Sequence, residues 1–157
     1  MHASVSRVIA AARRSGLEIS VERFPEGTRT ALEAAAAIGC EVGQIVKSLV
    51  FVADDAPVVA LVSGAHRVDV EKLRQQTGAE AVRRAAGDEA RAATGFAIGG
   101  IPPFGHARPL TVLVDRGLLD HERVWAAAGL PDAVFAIRPD DLVRASDGRV
   151  GEFATST

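Results

Sequence analysis

Ile45-Val46-Lys47-Ser48-Leu49-Val50-Phe51-Val52-Ala53, then Asp54-Asp55-Ala56-Pro57, then Val58-Val59-Ala60-Leu61-Val62-Ser63, is the stretch on which the fold turns. The first run is rich in β-branched and aromatic residues, which favour a pleated, half-buried surface. The second run is equally apolar. The polar break between them, ending in proline, predicts an antiparallel hairpin. The same break, with Lys47 inside the first run, excludes a membrane span. Alternation puts Ile45, Lys47, Leu49 and Phe51 on one face and Val46, Ser48, Val50 and Val52 on the other. Both faces are largely apolar, so the strand is central and buried.

Lys47 is therefore out of place. Only Lys47 and Lys72 are lysine among 18 basic residues. An ammonium in apolar surroundings is costly unless it is paired or solvated by a cavity. Either it snorkels to water or guards a strand edge, or it is a cation aimed into a cleft.

The second unusual segment is Gly95-Phe96-Ala97-Ile98-Gly99-Gly100-Ile101-Pro102-Pro103-Phe104-Gly105. Proline removes donors and fixes φ, and glycine opens angles closed to other residues, so regular structure is excluded. Connecting loops are usually polar and solvated. An apolar, stiffened loop is either a turn packed on the core or a rim that presents bare backbone N–H and C=O groups to a small pocket.

Around these segments the pattern alternates without regular βαβ repetition. Val5, Val8, Ile9 and Ala12 predict a helix ending near Gly16, and 17–22 a half-exposed strand. Thr30 and Glu33 have capping-box spacing before an alanine-rich helix stopped by Gly39. Asp69 is placed to cap a helix ending by Gly78, with a short strand over Ala81–Arg84, and Asp88 to cap one ending at Thr94. Strands follow at Leu110–Val114 and Ala133–Ile137, and a helix at Pro139–Arg144 with proline in its first turn. Residues 122–128 fit helix or strand, and Val150–Phe153 a closing strand. The expectation is one α+β domain over 1–157, with a mixed, strongly curved sheet flanked by helices.

The chain has 157 residues, 48% hydrophobic and 24% charged, with net charge −2. That is ordinary globular composition. It provides no global basic field for DNA, although a short single-stranded RNA end needs only a local patch. Cys40 is the only cysteine. It excludes an internal disulfide and fits a reducing, cytoplasmic setting. With no adjacent base or cation it reads as a small buried hydrophobe, not a nucleophile. His2, His66, His106 and His121 lack metal-ligand spacing, so no metal and no cofactor is expected. No dinucleotide fingerprint, P-loop or nucleophile elbow is present, and no signal peptide is visible.

Lys47-Ser48 in a buried strand, followed by Gly99-Gly100-Ile101-Pro102-Pro103-Phe104-Gly105, resembles the YbaK/EbsC family, whose superfamily includes the editing domain of bacterial prolyl-tRNA synthetases. The stretches Thr30–Ala35, Gly43–Phe51, Gly64–Asp69 and Val134–Leu142 support the likeness. The resemblance implies a barrel-like mixed sheet and a free-standing aminoacyl-tRNA deacylase without a cofactor. It implies a substrate that is tRNA carrying a wrong small amino acid, Cys-tRNA(Pro) first and alanine second. The partners it implies are the tRNA acceptor end and prolyl-tRNA synthetase, with neither DNA nor membrane. It makes Lys47 and Gly100 the catalytic residues. Ser48, Gly99, Ile101, Pro103, Phe104, Gly105 and the following His106 become the substrate-binding set. The alternative from another class is a binding module for a tRNA end or nucleotide that has lost hydrolysis.

Overall fold

A computed structural model describes residues 2–24 and 30–156. Its order is α1 (Ala3–Arg14), β1 (Val21–Arg23), α2 (Ala31–Ile38), β2 (Val46–Ala53), β3 (Ala56–Ser63), β4 (His66–Val68), α3 (Val70–Thr77), β5 (Val82–Arg84), α4 (Gly87–Thr94), β6 (Thr111–Asp115), β7 (Val124–Ala127), β8 (Ala133–Ile137), α5 (Pro139–Ser146), β9 (Arg149–Gly151) and β10 (Ala154–Ser156). Short 3₁₀ turns at Val42–Gln44 and Arg116–Asp120 complete it.

The β2–β3 hairpin forms as its sequence dictates, antiparallel from Val46↔Ser63 to Ala53↔Ala56. It is the centre of a five-stranded sheet ordered β5-β2-β3-β6-β9, in which β3–β6 and β6–β9 are parallel. Because β3 has a strand on each side, Val59, Ala60, Leu61 and Val62 are fully buried. Each such aliphatic side chain contributes about 1.5–3 kcal/mol. Alternation splits the core in two. Val46, Val50, Val59, Leu61, Val112 and Val114 meet α1, the 95–105 loop and β7–β8 on one face. Phe51, Val58, Ala60, Val62 and Leu113 meet Leu73 of α3 and Phe153 on the other.

The remaining strands form two further sheets, β1-β8-β7 and β10-β4. The sheet structure is mixed and flanked by helices, as expected. Among the described residues no ring of strands closes into a barrel: β5 and β9 are edges, and only the bridge Ile45↔Trp125 joins the large sheet to β7.

The helix starts follow short-range chemistry. Thr30 Oγ1 accepts the Glu33 N–H at 3.1 Å, and Asp69 Oδ1 the Lys72 N–H at 3.1 Å. Gly39 ends α2 in the left-handed region at φ 85°.

Three local expectations need correction and one open choice is settled. The strand at 17–22 narrows to Val21–Arg23, the only part in register with β8. Asp88 is not the α4 cap; Ala86 is, and its N–H donates to Glu89 Oε1 at 2.8 Å. Residues 124–127 are strand, because β8 pairs with them from Val124↔Ile137 to Ala127↔Val134. The single closing strand at 150–153 becomes β9 and β10, which pair with different sheets on either side of the buried Phe153.

Candidate active site

β5 pairs with β2 only over Phe51–Ala53, so β2 keeps an open edge toward its beginning. A cavity of about 290 Å³ opens there. Its floor is β2 from Val46 to Val50. Its walls come from α2 and its cap (Thr30, Ala31, Ala34), from Arg84, Ala85 and Ala90, from Ile98, Gly99 and Ile101 of the loop, and from Trp125 and Pro131.

Ser48 contributes twice. Groups on one antiparallel strand alternate between its two edges. Val50 O takes the Ala85 N–H at 3.0 Å on the β5 side. Ser48, two residues earlier, therefore turns its N–H and C=O to that same side, where no strand pairs. Its Oγ is buried without a hydrogen-bond partner among the described residues. Buried hydroxyls are normally satisfied, so an orphan in a cavity wall calls for a physical reason.

Lys47 also lines the cavity, but its side chain lies on the opposite face of β2. Its Nζ donates to the His66 carbonyl oxygen. His66 is fixed in turn by Asp115, whose Oδ2 is 2.8 Å from the ring Nδ1. Asp115 is 4% exposed and also accepts the Ser63 N–H (3.0 Å) and the Gly117 N–H (3.0 Å). One carboxylate thus ties the end of β3, β4 and the turn after β6 into the seat of the ammonium. Burial lowers the Lys47 pKa from its ordinary value; the Asp115 charge opposes this and Arg84 adds to it.

The 95–105 loop is both packed and presented. Phe96, Ile101 and Phe104 are buried, with Phe104 5.7 Å from the Phe135 ring. Gly99, at φ 93°, and Ile101 line the cavity. Their N–H groups have no hydrogen-bond partner among the described residues. The Gly100 N–H donates to Ala97 O at 3.0 Å and closes the turn. A Cβ on Gly100 would sit 2.9 Å from the backbone N and Cα of Leu130. That position needs glycine because two backbones approach there. Pro103, Phe104, Gly105 and His106 lie outside the cavity wall. Gly105 backs onto Ala11. His106 donates its Nε2–H to Pro102 O at 2.8 Å; burial lowers its pKa and this hydrogen bond opposes the shift.

Of the residues singled out from sequence, Lys47, Ser48, Gly99 and Ile101 therefore meet at one cavity. Arg84, Trp125 and the α2 residues join them without a local sequence signal, except that Trp125 is the only tryptophan. Cys40 is in a separate groove, its thiol pKa raised chiefly by burial. Among the described residues no cluster of three metal-ligating side chains exists, and no helix is long and apolar enough to cross a membrane.

Comparison with known proteins gives one consistent picture. Residues 25–145 match the family model described as the aminoacyl-tRNA editing domain. An uncharacterized protein of Bacillus subtilis (strain 168), YwhH, is 32% identical over 134 residues, 85% of either chain. The proline–tRNA ligase of Streptococcus equi subsp. equi (strain 4047) is 28% identical over 125 residues; these span 80% of this chain but only 20% of the ligase. A crystal structure of a candidate trans-editing enzyme for prolyl tRNA synthetase superposes with a TM-score of 0.93, at 43% identity and 99% coverage of both chains.

Proposed function

The chain belongs to the aminoacyl-tRNA editing domain family, in the YbaK/EbsC form its Lys47 strand and Gly99–Gly105 loop resemble, and on that premise we propose that it is a deacylase acting in trans on tRNA mischarged with a small amino acid. Cys-tRNA(Pro) is the first substrate to test and Ala-tRNA(Pro) the second. The partners are the tRNA acceptor end and, through it, prolyl-tRNA synthetase; the setting is the cytoplasm, where translation runs. The observation that carries this reading is the convergence of Lys47, Ser48, Gly99 and Ile101 on one small cavity.

The chemistry asks little of the protein. An aminoacyl ester is already activated. Water adds its oxygen to the carbonyl carbon, the bond to the ribose oxygen breaks, and the proton ends on that ribose oxygen. The unpartnered N–H groups of Gly99 and Ile101 are suited to hold the carbonyl oxygen as charge develops. One such donor is typically worth about 3 kcal/mol. Gly100 supports them by closing the turn and is a positioning residue on this reading. The resemblance assigns the Lys47 ammonium to the ester or the terminal phosphate; since Nζ is held by the His66 carbonyl on the other face of β2, that role requires the substrate to reach it round the open edge of the strand. Ser48 Oγ has no base within hydrogen-bond reach among the described residues, so it is assigned to binding and not to nucleophilic attack. The volume admits a small side chain, and a size filter is useful because a synthetase pocket separates neighbours differing by one methylene by only about 1–3 kcal/mol.

The test is a panel of tRNAs mischarged with cysteine, alanine, serine and threonine, followed by loss of the ester. Turnover is expected on cysteine or alanine. Binding to every member with turnover of none would replace the deacylase with a non-catalytic tRNA-end module.

A further inference from the structure

The cavity holds roughly an aminoacyl group and its sugar, since drug-sized ligands occupy about 300–1,000 Å³. The nucleotides preceding the terminal adenosine must therefore lie on the surface beside it. A second, wider concave surface begins there, lined by Cys40, Gln44, His121, Arg123 and Trp125, by the Arg138–Asp140 ion pair and by Glu122, so that Arg123 is its cation without a carboxylate partner among the described residues. Trp125 is shared by both. It is the only aromatic ring other than the His121 imidazole on either surface, the other described phenylalanines lying elsewhere and mostly in the core. The indole is half-buried against the alanines of α2, and its N–H has no partner among the described residues. Arg123 lines the same groove, and its guanidinium makes no ion pair or hydrogen bond among the described residues.

A ring for stacking with a free cation beside it is the combination by which single-stranded nucleic acid is held: bases stack on the aromatic face and the cation meets the backbone. We propose that Trp125 is the stacking platform, and Arg123 the phosphate contact, for the unpaired nucleotides of the tRNA 3′ end that lead into the cavity. The assignment rests on the tRNA-deacylase reading, but its test does not need turnover.

Trp125 is the only tryptophan, so its fluorescence reports the site directly. The probe is an unacylated acceptor-stem RNA hairpin with a single-stranded CCA 3′ end, compared with the same hairpin trimmed to a blunt end. Saturable quenching by the overhanging RNA and none by the blunt one is expected. Trp125→Ala should weaken binding of the overhanging RNA by about 5- to 150-fold, the range for one stacked base. Trp125→Phe should keep most of it. Arg123→Ala should reduce the slope of log affinity against log salt by about 0.7. Unchanged fluorescence, or equal quenching by both hairpins, would overturn the assignment. If the wild-type protein deacylates tRNA yet shows no quenching, the platform is wrong and the deacylase stands. Quenching without deacylation of any mischarged tRNA would keep the platform and remove the deacylase.

Discussion

Replacing Ser48 with alanine should make the protein more stable and a worse enzyme. The Ser48 hydroxyl is buried in the wall of the cavity with no hydrogen-bond partner among the described residues. A buried, unsatisfied polar group costs about 1–3 kcal/mol. Ser48→Ala removes that cost. Little contact is lost, because the hydroxyl borders a cavity. A strand-propensity penalty opposes the gain, within a scale spanning about 1 kcal/mol. The net expectation is a gain of about 1 kcal/mol, which for a chain of this size is roughly 2–4 °C in Tm. If the hydroxyl is unpaired because it waits for substrate, losing it forfeits about 0.5–1.5 kcal/mol of hydrogen bonding, so single-turnover deacylation should slow about 2- to 13-fold. Guanidinium denaturation and single-turnover kinetics on the same preparation measure both. A variant less stable than wild type by more than about 0.5 kcal/mol would refute the reasoning, because the hydroxyl would then have a partner in the folded protein. Higher stability with unchanged turnover would remove Ser48 from the substrate site.

Lys47→Ala should abolish most deacylation while the protein stays folded, and Lys47→Arg should not rescue it, because a planar guanidinium does not replace a compact ammonium. Burial lowers the Lys47 pKa, so a role for the cation requires activity to fall as pH rises through a midpoint below 10.5. Stability moves the other way: between the lowered folded value and the unfolded one, the unfolded chain binds the extra proton, so stability contributed at Lys47 rises with pH. A pH–rate profile flat to 10.5 would dismiss the cation. Gly100→Ala should cost about 1–3 kcal/mol, because the new Cβ overpacks the Leu130 backbone at 2.9 Å. It should also slow turnover per folded molecule by displacing Gly99 and Ile101; wild-type turnover in the folded fraction would show that the loop does not hold the ester. Cys40→Ser should keep wild-type turnover, since the thiol is outside the cavity and its pKa is raised. Loss of turnover in this variant at an unchanged Tm would contradict that.

Features that depend on neighbours within a few residues are legible in the sequence. The Ile45–Ser63 hairpin, the Thr30 and Asp69 caps, the Gly39 stop and the irregular 95–105 loop all follow from side-chain period, local hydrogen bonding or backbone freedom. The resemblance carried by Lys47, Ser48 and Gly99–Gly105 belongs with them, since it too is read in order along the chain. Features that depend on partners far away in sequence emerge only when the chain is folded. Residues 122–128 fit either element until β8 supplied the pairing, and β4 was invisible until β10 arrived. The roles within the loop were sorted the same way. Gly100 faces the backbone of Leu130, while Gly99 and Ile101 face the cavity. Asp115, far beyond Lys47 in the chain, fixes the His66 carbonyl that holds the ammonium. Arg84 and Trp125 reach the cavity only because β5 diverges from β2 and β7 bridges to Ile45. Local rules set which elements form because they act within a turn or a strand. Which side chains share a cavity is set by packing between elements, and no short window of sequence contains both partners of such a contact.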